Sequence, residues 1–209
     1  MHNGIPDEFI TNIFIERKQL LISLLQGKLT KEEIFLGFTR HTPVIATYGP
    51  SGINASVKGI GFIPKKEFIY EMNKRLQEFI KNKTHDLKTR INFLIEYIYD
   101  ENKIDFNYLA GIEMAKKHTW INIKNNPVAT LLFYIPPDIS YEVRCTVTIH
   151  LNDVYWEYVN GIHDLFHTSR RNWKEYPVYL FKIREIYDNS PKFMGKKIFN
   201  QETTTTISQ

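Results

Sequence analysis

The sequence holds one cysteine, Cys145, among its 209 residues. A single thiol forms no intrachain disulfide, which fits a reducing compartment, and a cytoplasmic location is expected. Cys145 lies in an apolar, alternating stretch, where cysteine serves as a packing residue rather than a nucleophile. Long apolar runs are missing too. Leu20–Ile22 with Leu24–Leu25 falls far short of the roughly 20 residues a membrane helix needs. No basic start leads into an apolar core and a small-residue cleavage site, so neither a secretory leader nor a membrane partner is expected. Surplus charge is small, at +4 with a pI near 9.0. The basic pairs Lys65–Lys66, Lys116–Lys117, Arg170–Arg171 and Lys196–Lys197 are scattered along the chain. A nucleic-acid binder concentrates such residues on one face, so no nucleic-acid partner is expected. There is no Gly-x-Ser-x-Gly elbow, no Walker-type phosphate loop and no Gly-x-Gly-x-x-Gly, which leaves hydrolase and nucleotide-kinase readings unsupported.

What remains is an ordinary globular composition, 43% hydrophobic and 24% charged, in a chain long enough for one well-buried core. Ile10, Phe14, Leu21, Leu24 and Leu25 recur at helical spacing, predicting a helix over 7–26 that stops at Gly27. Thr30 with Glu33 has the form of a capping box, opening a second short helix. At Thr42-Pro43 the period changes. Val44–Tyr48, the turn Gly49-Pro50-Ser51-Gly52 and the extended Ile53–Ile63 read as a β-hairpin, with Gly59 and Gly61 marking a bulge or a close approach. Phe68, Met72, Leu76 and Phe79, then Leu87, Ile91, Leu94, Ile95 and Ile98, form two amphipathic stripes of a helical hairpin. Strand character returns at Phe106–Ile112. A short basic helix Lys116–Asn125, strands Val128–Tyr134 and Tyr141–Leu151, a helix Val154–His167 and a last strand Val178–Tyr187 follow. The expected organisation is one domain over 1–200, interrupted by the helical hairpin at about 65–103, with a disordered tail over 201–209.

Three stretches carry a family resemblance. Asn122-Ile123-Lys124-Asn125-Asn126-Pro127 leads into the apolar Val128–Leu132, Thr42-Pro43-Val44-Ile45-Ala46-Thr47 precedes a glycine turn, and Tyr141-Glu142-Val143-Arg144 opens a long strand. In this order they resemble the pyridoxamine-phosphate-oxidase-like FMN-binding split-barrel family. The resemblance implies an α+β fold: an antiparallel split β-barrel of about six strands, with N-terminal helices and an inserted helical hairpin. It further implies an FMN-binding oxidoreductase-like protein acting on an unidentified small molecule, working as a homodimer with the flavin at the subunit interface.

FMN needs cations, hydroxyls or helix-start N–H groups for its phosphate. In the family these lie just before and inside the short helix, usually as Ser/Thr-Arg-Lys. Here that place holds Lys116-Lys117-His118-Thr119, with the lysine pair one turn early. The resemblance thus points to Lys116, Lys117, His118, Thr119 and Asn122, with Lys58 from the Asn54–Lys58 strand, as cofactor-binding residues. The arginine and histidine with which true pyridoxamine phosphate oxidases grip their substrate have no counterpart over Phe181–Phe199, so that reaction is not expected. No catalytic residue is assigned. Two other readings stay open: a non-catalytic flavin- or haem-binding module, and a cofactor-free interaction protein. For haem or a metal the candidates are His163 and His167, four apart on a helix, with His150 as a third ligand.

Overall fold

The computed structural model describes residues 4–82, 84–167 and 172–201. Helix α1 spans residues 7–25, with a π-helical turn at Thr11–Ile15 between α-helical Asp7–Ile10 and Glu16–Leu25. Asp7 and Glu8 complement the dipole at its start, and Gly27 ends it with a φ of 66°. Helix α2, Lys31–Thr39, opens on the expected capping box: Thr30 Oγ1 accepts from the Glu33 N–H, and Glu33 accepts from the Thr30 N–H.

Eight strands follow, where about six were expected: β1 Val44–Gly49, β2 Gly52–Val57, β3 Ile60–Pro64, β4 Ile104–Ile112, β5 Val128–Ile135, β6 Ile139–His150, β7 Val178–Asp188 and β8 Lys196–Asn200. Two causes account for the difference. The extended segment after the first turn breaks at Lys58-Gly59 into β2 and β3, and β8 is too short and basic to show a strand pattern. The sheet order is β2-β1-β5-β6-β7-β4-β3 with β8 on β7, and every pairing is antiparallel.

This order dictates the shape. A flat sheet would put β2 and β3 about 29 Å apart, six spacings of about 4.8 Å. Yet only Lys58 and Gly59 separate the two strands in the chain, a reach of about 10 Å. The sheet must therefore curl until its open ends are the two halves of one segment. Bulges between Phe62 and Ile63, Arg144 and Cys145, and Ile186 and Tyr187 bend the strands that wrap. The sheet is antiparallel, curled and unclosed, in the α+β class expected.

Helix α1 fills its interior. Phe9 is fully buried, edge-on to Phe133 and Tyr141 with ring centroids 6.0 and 5.2 Å away, and Phe14 meets Phe62 and Phe106. The helical insertion lies between β3 and β4, as its period predicts. It comprises α3, Ile69–Lys81, and α4, Leu87–Phe93, which continues as a π-helical turn at Leu94–Ile98. Helix α5 is His118–Asn125 and α6 is Val154–Asp164. Helices α3 and α6 touch closely at Gly161, where any Cβ would lie 2.9 Å from Leu76. Cys145 is buried among core side chains, and burial pushes its thiol pKa upward, as suits a packing residue. The tail expected over 201–209 lies outside the described residues except for Gln201.

Candidate functional site

The turn between β1 and β2 is welded to α5 by one side chain. Asn122 is fully buried; its Oδ1 accepts from the Ser51 N–H at 2.9 Å, and its Nδ2 donates to the Gly52 carbonyl at 2.9 Å and to Thr47 Oγ1 at 3.3 Å. Asn126 adds a bond from its amide to the Tyr48 carbonyl at 3.0 Å. Gly49 permits this contact, because a Cβ there would stand 2.9 Å from Asn122 Oδ1 and 3.0 Å from its Cα. The amide of Asn122 is thus engaged with the hairpin main chain.

That junction sets Thr119, in the first turn of α5, against β2. Its hydroxyl accepts from Asn54 Nδ2 at 2.7 Å and lies 3.1 Å from Ser56 Oγ. The Lys116–Thr119 segment and the Asn54–Lys58 strand therefore share one site. Lys116, Lys117 and His118 are exposed at the helix start, and Lys117, at the N-cap position, makes no side-chain cap. The start of α5 thus has no side-chain cap from its N-cap residue and lies beside two exposed lysines with no ion-pair partner among the described residues.

Lys58 has a different place. Its ammonium is 2.9 Å from Glu113 Oε2, with both side chains largely buried. Glu113 is a hub: Oε2 also accepts from the Tyr179 hydroxyl at 3.0 Å, and Oε1 accepts from the Ala115 and Lys116 N–H groups at 2.8 and 2.7 Å. These last two bonds hold Lys116 at a φ of 49°, which delays the start of α5 to His118 rather than Lys116. Burial alone pushes the Glu113 carboxyl up. The hydrogen bond and charge of Lys58, with the two backbone donors, outweigh it and hold the pKa below its ordinary value. Tyr179 moves upward, through burial first and then the neighbouring Glu113 charge. Lys58 and Glu113 cancel, so the unmatched positive charge of the site sits on Lys116 and Lys117.

These residues fit the phosphate end of FMN: an uncapped helix start, two unmatched cations and the Thr119–Ser56 hydroxyls. The ring end has the edge of β2, which among the described residues pairs with β1 alone and so offers backbone donors and acceptors for a pyrimidine edge. The opposite face of this hairpin carries Tyr48 across from Ile53, and Val57, at 65, 86 and 64% exposure.

Of the three histidines, two lie together and one apart. His163 and His167 do stack, with centroids 4.1 Å apart. His150 bonds Asp153 at 2.6 Å and Thr148 at 2.9 Å, before the start of α6, whereas His163 lies in its last turn. Nine residues of helix hold the two ends on the order of 14 Å apart. Among the described residues no group of three or more His, Cys, Asp or Glu could hold a metal ion. Of the nearby carboxylates, Glu142 bonds Arg144, Asp153 meets His150, and Asp164 accepts from the Trp173 indole. No helix of the described residues is long and apolar enough to cross a membrane.

No family model matches the sequence, and no curated protein does. Several solved structures are similar. HupZ of Group A Streptococcus is 15% identical, over 83% of this chain and 99% of that one, with a TM-score of 0.45. A pyridoxamine 5'-phosphate oxidase-related, FMN-binding protein of Nostoc punctiforme is 11% identical, over 83% and 96%, with a TM-score of 0.41. A Clostridium acetobutylicum protein related to general stress protein 26 is 12% identical, over 88% and 95%, with a TM-score of 0.46. At TM-scores below 0.5 these likenesses carry no weight for this chain's function.

Proposed function

We propose that this protein binds FMN at the start of α5 and acts as a flavin-dependent oxidoreductase on a small molecule. The observation behind this reading is the junction at Thr119, where the hydroxyls of α5 and β2 meet under two unmatched lysines. Bound there, FMN would supply the electron transfer, as it does in flavoproteins generally. The protein's share is to hold the phosphate with Lys116, Lys117 and the helix start, and to present the β2 edge to the ring. Asn122 is a positioning residue, since it sets the hairpin against α5. One chain offers the ring only one wall. A second copy supplies the other, so a symmetric homodimer is part of the reading, and the exposed Tyr48, Ile53 and Val57 give the hairpin apolar surface for a contact between copies.

The test is a fluorescence titration with FMN. Replacing Lys116→Ala and Lys117→Ala together weakens binding by about 2 kcal/mol, roughly thirtyfold, at about 1 kcal/mol per charge-assisted contact to an exposed lysine. Unchanged affinity in that double variant refutes the phosphate placement. Light scattering of the unaltered chain should give twice the 24.8 kDa protomer mass, and a monomer at micromolar concentration removes the shared-wall part of the reading.

A further inference from the structure

Helix α1 carries an arginine where its own pattern calls for an apolar side chain. Ile10, Ile13, Phe14 and Arg17 repeat at spacings of three, four and seven, on one face. The first three are buried in the core. Arg17 instead lines a cavity of about 540 Å³ between α1, the β2–β3 link, the end of α4 and the end of α6. That volume lies within the range of small-molecule sites. Most of its wall is apolar, including Phe14, Phe62, Leu94, Ile98 and Leu109. Both π-helical turns of the described chain, Thr11–Ile15 and Leu94–Ile98, contribute to it, and such turns recur at functional sites.

Three polar side chains of this wall, Arg17, Tyr158 and His41, bear on what it can bind. No carboxylate among the described residues pairs with Arg17, whose neighbours include Tyr99 and His41. Arg17 is half-buried, and a guanidinium stays charged in a protein, so its partial desolvation goes without an anion to offset it. Tyr158 also lines this cavity. It is 2% exposed, and its hydroxyl oxygen makes no hydrogen bond. His41 Nδ1 is likewise buried and unbonded. The other nitrogen of that ring faces the Gly37 carbonyl, which leaves Nδ1 as an acceptor. Burial first, and the Arg17 charge second, hold the imidazole down to about 3, so it is neutral. Lys58 lines the same cavity and is matched by Glu113. One unmatched positive charge therefore remains beside Tyr158 and His41.

We propose that this cavity is a second site, binding an organic monoanion: a carboxylate held by Arg17, on an apolar body lodged against Phe14, Phe62 and Ile98. The Tyr158 hydroxyl is its further polar contact, as a donor, while the neutral His41 ring adds no charge to the wall. Nothing in this assignment rests on flavin binding at α5, and the test needs no flavin.

Calorimetric titration of the full chain with decanoate and naphthoate, each against its alcohol, decanol and naphthylmethanol, reads the proposal directly. At least one acid should bind about tenfold or more tightly than its alcohol. Arg17→Met should abolish that preference and melt no lower than the unaltered chain, since it removes a half-buried cation that has no anionic partner among the described residues. Tyr158→Phe, which removes only an unbonded hydroxyl, should fold and weaken the acid severalfold. Acids and alcohols binding alike, neither binding, or the preference surviving in Arg17→Met would overturn the site. So would a lower melting temperature for Arg17→Met, which would mean that the fold itself satisfies the charge.

Discussion

At the scale of single residues, the site's organising group is Glu113, which composition shows only as one carboxylate among 23 acidic residues. Its partners explain why. Lys58 is 55 positions away and Tyr179 is 66, so the cluster exists only once β2, β4 and β7 are in place. Lys58 was legible as a residue facing this region, but its counter-ion was not. Replacing Glu113→Gln leaves the Lys58 ammonium buried without an anion, and denaturant unfolding should register a loss of about 3–5 kcal/mol. The pH sign follows from the direction of the shift. The Glu113 carboxyl is held below its unfolded value of 4.5, so the folded state gains from its ionised form above that pH. That gain disappears as pH falls through the lower folded value. Glu113→Gln should therefore be weaker at neutral pH and lack this part of the acid sensitivity. A neutral-pH difference below about 1 kcal/mol, typical of exposed pairs, would mean the pair is solvated.

At the scale of elements, local signals gave correct readings where one segment carries its own reasons. The capping box at Thr30, the glycine stop at Gly27, the Gly49–Gly52 turn and both insertion helices are of this kind. The Asn122–Pro127 motif was visible as a pattern, but its physical purpose was not: both Asn122 and Asn126 bond the main chain of the β1–β2 hairpin. Strand β8 and the break at Lys58-Gly59 escaped because their cause is pairing across the sheet rather than local sequence. The junction itself can be probed at Gly49, where a methyl group would sit 3.0 Å from the Asn122 Cα. Backbone cannot swing aside as a flexible side chain does. Gly49→Ala should destabilise by about 1–3 kcal/mol through overpacking, measured by thermal or denaturant unfolding. It should also weaken FMN binding, because the hairpin and α5 separate. A neutral effect on both would mean the junction is loose.

At the scale of the whole molecule, the sheet order does what no single element can. Curling brings β2, with Asn54 and Ser56, to the start of α5, and brings Arg17 of α1 and Tyr158 of α6 to one cavity wall. The sequence predicts the class of fold and the position of the insertion, since the hydrophobic period switches near Lys65 and again near Phe106. It does not show that the end of α4 walls a cavity, because that depends on how the insertion folds back over the sheet. Arg17 is the exception that could have been read, as a charge on an otherwise apolar helical face. The two proposed sites thus share one frame: an exposed cationic helix start for a phosphate, and an apolar cavity with one half-buried cation.

The most direct measurement of the central claim compares FMN with riboflavin, which lacks only the phosphate. Both are titrated against the purified chain by quenching of flavin fluorescence. If Lys116, Lys117 and the α5 start hold the phosphate, FMN should bind about thirtyfold or more tightly than riboflavin, a difference of about 2 kcal/mol. Equal quenching by the two flavins, or none by either up to about 100 μM, the range of about −5.5 kcal/mol, would contradict the account.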